Sequence, residues 1–116
     1  MKLLRHELGR EIRCLMRSLR LATLSTGLAT AEGWPYGSMV TVAIDQSAHP
    51  LLLLSDLSDH SHNLAEDSRA SLLFVQPTRH RNPQRGARVT VLGNIRKTDK
   101  SQHAVRFLTM HPEAKM

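Results

Sequence analysis

The links between the apolar stretches of this chain are of hairpin length, and that fixes the kind of sheet it can build. Parallel neighbours need a crossover of roughly a dozen residues or more, whereas antiparallel neighbours need only a few. Glu32-Gly33-Trp34-Pro35 and Asp45 to Pro50 are turn-rich and short. The element order is helix, two strands, strand, short helix, strand, strand, helix. It predicts a mainly β fold, an antiparallel barrel or sandwich with peripheral helices.

Hydrophobic period supplies the elements. Leu8, Ile12, Leu15, Met16 and Leu19 share one helical face while Arg10, Arg13 and Arg17 lie off it, so a helix is expected over residues 4 to 19. LATLSTGLATAEG from Leu21 loses that period and reads as a strand entering a hairpin. Tyr36 to Ile44 alternates, with Met39, Thr41 and Ala43 opposite Ser38, Val40, Val42 and Ile44. Leu51 to Leu54 is a short aliphatic strand, and Asp59 to Glu66 suits a helix capped by Ser58 or Asp59. Ala70 to Gln76 is the next strand, residues 77 to 86 a basic loop, and Ala87 to Lys97 a strand with Val89, Val91 and Gly93 opposite Arg88, Thr90 and Leu92. A last helix spans residues 101 to 110, with Ala104, Phe107 and Leu108 on one side. Five strands barely close a barrel, so an open seam calls for a helix or a second subunit.

The chain's 116 residues suit a single domain, 1 to 116. The four aromatic residues, Trp34, Tyr36, Phe74 and Phe107, leave the core to aliphatic side chains, which makes help from a partner subunit natural. No apolar run approaches the ~20 residues of a membrane span, so no membrane partner is expected. A net charge of +6, dominated by arginine, favours anionic partners, phosphates above all. The lone Cys14 has no disulfide partner and no metal-ligand spacing, and no targeting segment is legible at the N-terminus. A cytoplasmic location is the expectation.

The densest polar stretch is Ser55 to Asn63, SDLSDHSHN, at a strand-to-helix junction. Hydroxyls, imidazoles and free helix N–H groups there can grip a phosphate, and the same Ser and Asp can simply cap the helix; on residues alone capping is favoured. His60 and His62 are two apart and point to different sides of a helix, so no metal site is expected. Arg79, Arg81, Arg85 and Arg88 lack interleaved aromatics for base stacking, so no nucleic acid is expected. Cys14, beside Leu15 and Met16, reads as a small core side chain.

Taken in order, LATLST, GWPYGSMV, LLLLSDLSDHSHNL, SRASLLF and RVTVLGNI resemble the pyridoxamine 5'-phosphate oxidase-like FMN-binding split-barrel family over residues 5 to 112, and within it the haem-utilisation, HugZ-like, branch. The resemblance implies an antiparallel split β-barrel and a homodimer holding FMN between its subunits. Ser38, with Met39 and Val40, stands where the oxidases offer an arginine to the FMN phosphate. Ser55, Ser58, His60, Ser61 and Asn63 match the second phosphate-binding segment, with His60 near the place of a lysine. Arg88 matches a strand start that approaches the flavin. The implied function is an FMN-dependent oxidoreductase acting on a small or haem-like substrate, with haem the less favoured ligand and no catalytic side chain named. A second reading keeps the barrel as a binding module for haem or another ligand, without redox activity. Haem-utilisation relatives continue beyond the last helix, so the chain is expected to be a minimal or C-terminally truncated form.

Overall fold

Alternation along one strand organises the sheet. In β1 (Leu21–Leu28) Ala22, Leu24 and Thr26 are buried while Leu21 and Thr23 are exposed, the period-two signature of a strand with one face inside. The computed structural model describes residues 5–79, 81–98 and 100–114. Before β1 comes α1 (Arg5–Ser18); after it come β2 (Trp34–Thr41), β3 (Ala43–Ile44), β4 (Pro50–Leu51), α2 (Asp59–Glu66), β5 (Arg69–Val75), β6 (Arg88–Asn94) and α3 (Lys100–Met110). A four-stranded sheet runs in the order β2-β1-β5-β6, every pair antiparallel, and β3 with β4 forms a two-stranded one. The fold is mainly β with peripheral helices, as the short links require.

Cross-strand register sets what lies inside. Ser38, Leu24, Leu72 and Val91 are direct partners across all four strands, and direct partners share a face. Leu24 and Phe74 are fully buried, and Ala22, Val40, Val42, Ile44 and Leu72 complete the cluster with Met16 of α1. Ile12 and Leu19 pack against it from the same helical stripe. Cys14 is exposed, against the expectation of a core position. It lies about 200° around the helix from Ile12 at ~100° per residue, on the side facing water.

Two strand expectations are also revised. Alternation fails after Thr41, where Val42, Ala43 and Ile44 are all buried: the chain leaves the large sheet, the Val42 N–H donates to Arg20 O at 2.9 Å, and both faces of β3 turn inward. The strand expected at 51–54 shrinks to Pro50–Leu51; Leu52 and Leu54 still pack on the core, while Leu53 is exposed.

α3 is pinned to this end of the sheet. Phe107 and His111 are buried, the His111 Nε2 lies 2.7 Å from Val42 O, and Arg106 Nε donates to Ile44 O at 2.9 Å. Between α2 and β5, Arg69 clasps the Asp67 carboxylate, Nη2 to Oδ2 at 2.7 Å. Its side-chain and backbone hydrogen bonds lower that carboxyl from 3.8 to about 2.

Phe74→Ala is expected to lower the unfolding free energy by about 3–5 kcal/mol in urea titrations, from lost transfer energy and the cavity left behind. Asp67 titrates lower folded than unfolded, so its contribution is complete above its ordinary value of 3.8 and fades as pH falls toward about 2. Melting temperatures measured across that window should fall less steeply for Asp67→Asn than for the parent.

Candidate functional site

Ser38 and His60 meet although they come from different elements: Ser38 Oγ lies 3.3 Å from His60 Nδ1. Ser38 is half-buried in β2, opposite Leu24, on the inner side of the sheet. Its neighbours diverge as alternation dictates. Val40 is buried in the core and Met39 faces outward, 73% exposed.

His60 is brought there by the helix that carries it. Asn63, one turn further along α2, is 2% exposed; its Nδ2 donates to Thr26 Oγ1 at 3.1 Å and its Oδ1 accepts the Ala29 N–H at 2.8 Å. Residues three apart share a helix face, so burying Asn63 against β1 turns His60 toward β2. Both ends of the Asn63 amide are therefore engaged within the chain.

The three serines build the helix start. Ser58 is the N-cap, its Oγ accepting the Ser61 N–H at 3.4 Å. Ser61 Oγ donates to Ser55 O at 2.6 Å, while the single Ser58 hydroxyl proton is shared between Ser55 O at 2.7 Å and Ser61 Oγ at 2.9 Å. Ser55 Oγ accepts the Leu57 N–H at 3.2 Å. These hydroxyls cap, and a phosphate arriving here would compete with the bonds they already make.

Arg88 sits elsewhere in this chain. It begins β6, three strands from β2, which at ~4.8 Å per strand is about 14 Å across the sheet before the offset along β6 is counted. Its Nη1 donates to Gln84 O at 2.6 Å. Instead an unforeseen cation reaches the polar loop: Lys97 Nζ lies 3.2 Å from Asp56 Oδ1. The two are far apart in sequence and both are exposed, so no local pattern announces a pair whose energy is small. Thr26, the partner of Asn63, was missed as well, because its hydroxyl reads as an ordinary strand position. Among the described residues no group of three or more His, Cys, Asp or Glu converges. His60 is half-buried and His62 exposed.

The chain is thus an antiparallel β fold in which a histidine in the first turn of α2 is held against an inner-face serine. The family described as "CREG, beta-barrel" matches residues 5–116, and this chain belongs to that family. It is 36% identical over 107 residues to the chloroplastic haem oxygenase HOZ of Arabidopsis thaliana, covering 90% of this chain and 32% of that protein; the chain thus spans about a third of the length of this curated relative. Among solved structures, a haem-binding protein from Mycobacterium smegmatis is 33% identical with a TM-score of 0.83, covering 97% of this chain and 47% of that one. HutZ, the haem storage protein of Vibrio cholerae, shares the fold at 16% identity, with a TM-score of 0.66 over 94% of this chain and 82% of that one. All three relatives are named for haem, whereas the resemblance had put FMN first.

Asn63→Ala should lower stability by about 1–3 kcal/mol, since it strands the Thr26 hydroxyl and the Ala29 N–H, and Ser58→Ala by about 1 kcal/mol through the lost cap. Denaturant titrations of the two variants check the order.

Proposed function

We propose that this chain binds haem as a homodimer, with His60 the residue offered to the iron and Ser38 the group that orients it. The single observation carrying this reading is the Ser38 Oγ to His60 Nδ1 contact at 3.3 Å. A metal-ligating histidine typically has its second ring nitrogen held by a hydrogen bond, which fixes tautomer and orientation. With the proton on Nδ1 donated to the Ser38 hydroxyl, the Nε2 lone pair is left to coordinate. Leu57, 88% exposed in the same loop, adds apolar surface for a porphyrin. Haem, when bound, would supply the iron redox and oxygen chemistry; Ser38 and His60 orient it. The haem-related names of the relatives at 36% and 33% identity support the ligand class.

The proposed dimer rests on the outer side of the large sheet. Met39, Thr23, Leu73 and Thr90 form one row there and Gly37, Ser25, Ser71 and Leu92 another. Neither row carries a charge, and Met39 and Leu92 are 73% and 79% exposed. In a chain of net charge +6, two copies can meet on such a face without opposing like charges.

FMN is the second reading, in a split barrel of the flavin-binding type with the phosphate at Ser38, Ser58, His60 and Ser61, serving an oxidoreductase. The start of α2 favours it, because helix N-termini attract phosphate. The engaged serine hydroxyls and the distance to Arg88 weigh against it unless the partner subunit supplies that arginine.

Titration of the purified chain with haemin is expected to shift and sharpen the Soret band saturably relative to free haemin. His60→Ala should shift it, and Ser38→Ala should weaken affinity by roughly 10- to 100-fold, as for other outer-shell partners. An unchanged Soret band and affinity in both variants would count against His60. FMN retained through desalting, with the haemin Soret band left as in free haemin, would favour the flavin reading.

A further inference from the structure

Near the Leu21 end of β1, away from the Thr26 and Ala29 contacts that hold α2, α1 and α3 come together over β3. Between them lies a groove of about 660 Å³ lined by Arg17, Ile44, Val105, Arg106, Thr109 and Met110. A smaller cavity of about 350 Å³ shares Arg106 and continues to Asp45, Gln46, Ser47 and His103.

The two guanidiniums in the groove are oriented without being neutralised. Arg106 Nε donates to Ile44 O at 2.9 Å, and Arg17 Nη2 donates to Asp45 O at 3.2 Å and Gln46 O at 3.3 Å. Carbonyls of successive residues thus draw two like charges into one cavity. Asp45 is the acid at hand, but its carboxylate is already engaged: Oδ1 accepts the His49 and Ser47 N–H groups at 2.8 and 2.9 Å, and Oδ2 lies 3.3 Å from His49 Nδ1. Partial burial works against its ionisation, yet those bonds outweigh burial and hold it below its ordinary value. Among the described residues, the ion pairs that form involve neither Arg17 nor Arg106.

If the arginines served only to tie helices to the hairpin, the carbonyl bonds would suffice, and the apolar surface beside them would have no use. Val105 is 77% exposed on α3, with Met110 further along the same lining and Ile44 behind. Two fixed forks with spare N–H donors suit a carboxylate, and the adjoining aliphatic wall suits a hydrocarbon body. We propose that this groove binds an apolar carboxylate, its head bridging Arg17 and Arg106 and its tail lying along Val105 and Met110. The site is separate from the Ser38 and His60 pair and does not depend on the haem reading.

Isothermal titration calorimetry of the whole chain with laurate below its micelle concentration tests it, with dodecanol and acetate as probes that keep only the tail or only the head. Saturable laurate binding is expected, weakened roughly tenfold or more by Arg106→Gln and by Val105→Asp, with dodecanol and acetate weaker by a similar factor. Arg106 also ties α3 to β3, so its variant can loosen the helix. Val105 is exposed and makes no such tie, and the circular dichroism melt of Val105→Asp should match the parent's. Absence of saturable laurate binding, or laurate affinity unchanged in both variants, or equal affinity for dodecanol, would overturn the proposal.

Discussion

Everything about the candidate site depends on how one buried amide is satisfied. Asn63 is nearly inaccessible, and an unpaired amide at that depth would be strongly unfavourable. Its carbonyl and amino ends find the Ala29 N–H and the Thr26 hydroxyl on and just beyond β1. That pairing leaves α2 little freedom to rotate. Because His60 lies one turn earlier on the same face, the contact that satisfies Asn63 also carries the imidazole to Ser38 on the adjacent strand. The serine cap fixes where the helix begins, so the imidazole is positioned along the helix as well as around it.

Charge is distributed by a similar economy. Most acids near the sheet ends are occupied locally: Asp67 by Arg69, Asp56 by Lys97, Glu113 by Arg20 and His111, Asp45 by its own turn. The excess of arginine is therefore held by backbone carbonyls, as with Arg17, Arg88 and Arg106. A carbonyl orients a guanidinium and leaves its charge in place, which keeps the α1 and α3 end of the molecule attractive to anions.

Much of this architecture was legible from period and punctuation. Asp59–Glu66 falls on the residues expected for it, α1 and α3 within a residue of theirs, and β5 and β6 carry the inward rows that alternation demands. What failed were places where the chain changes partner. The exit from the large sheet at Val42 buries consecutive residues, and no two-residue period can announce that. Leu52 and Leu54 are apolar because they pack on the core, with no ladder beneath them. Cys14 was read from its neighbours in sequence when its angle around the helix decides its exposure. The polar stretch Ser55 to Asn63 stood out on its residues alone, whereas Ser38 entered only through the resemblance, since its contact with His60 spans 22 residues and rests on the Asn63 pairing. Of the residues named, Ser38, Ser55, Ser58, His60 and Ser61 gather at the start of α2, Val40 and Asn63 belong to the interior, and Met39 and Arg88 lie on other surfaces.

The relatives at 36% and 33% identity are themselves named for haem, and the proposed reading for this chain turns on a histidine whose Nδ1 lies 3.3 Å from a serine hydroxyl. On the proposed reading, Ser38 fixes the tautomer of His60 and leaves Nε2 bare. Long-range proton–nitrogen correlation NMR of the ¹⁵N-labelled chain at mildly alkaline pH reads this directly. The expected result is a proton on Nδ1, with that preference lost in Ser38→Ala. A ring protonated on Nε2, with the same populations when Ser38 is replaced, would contradict it.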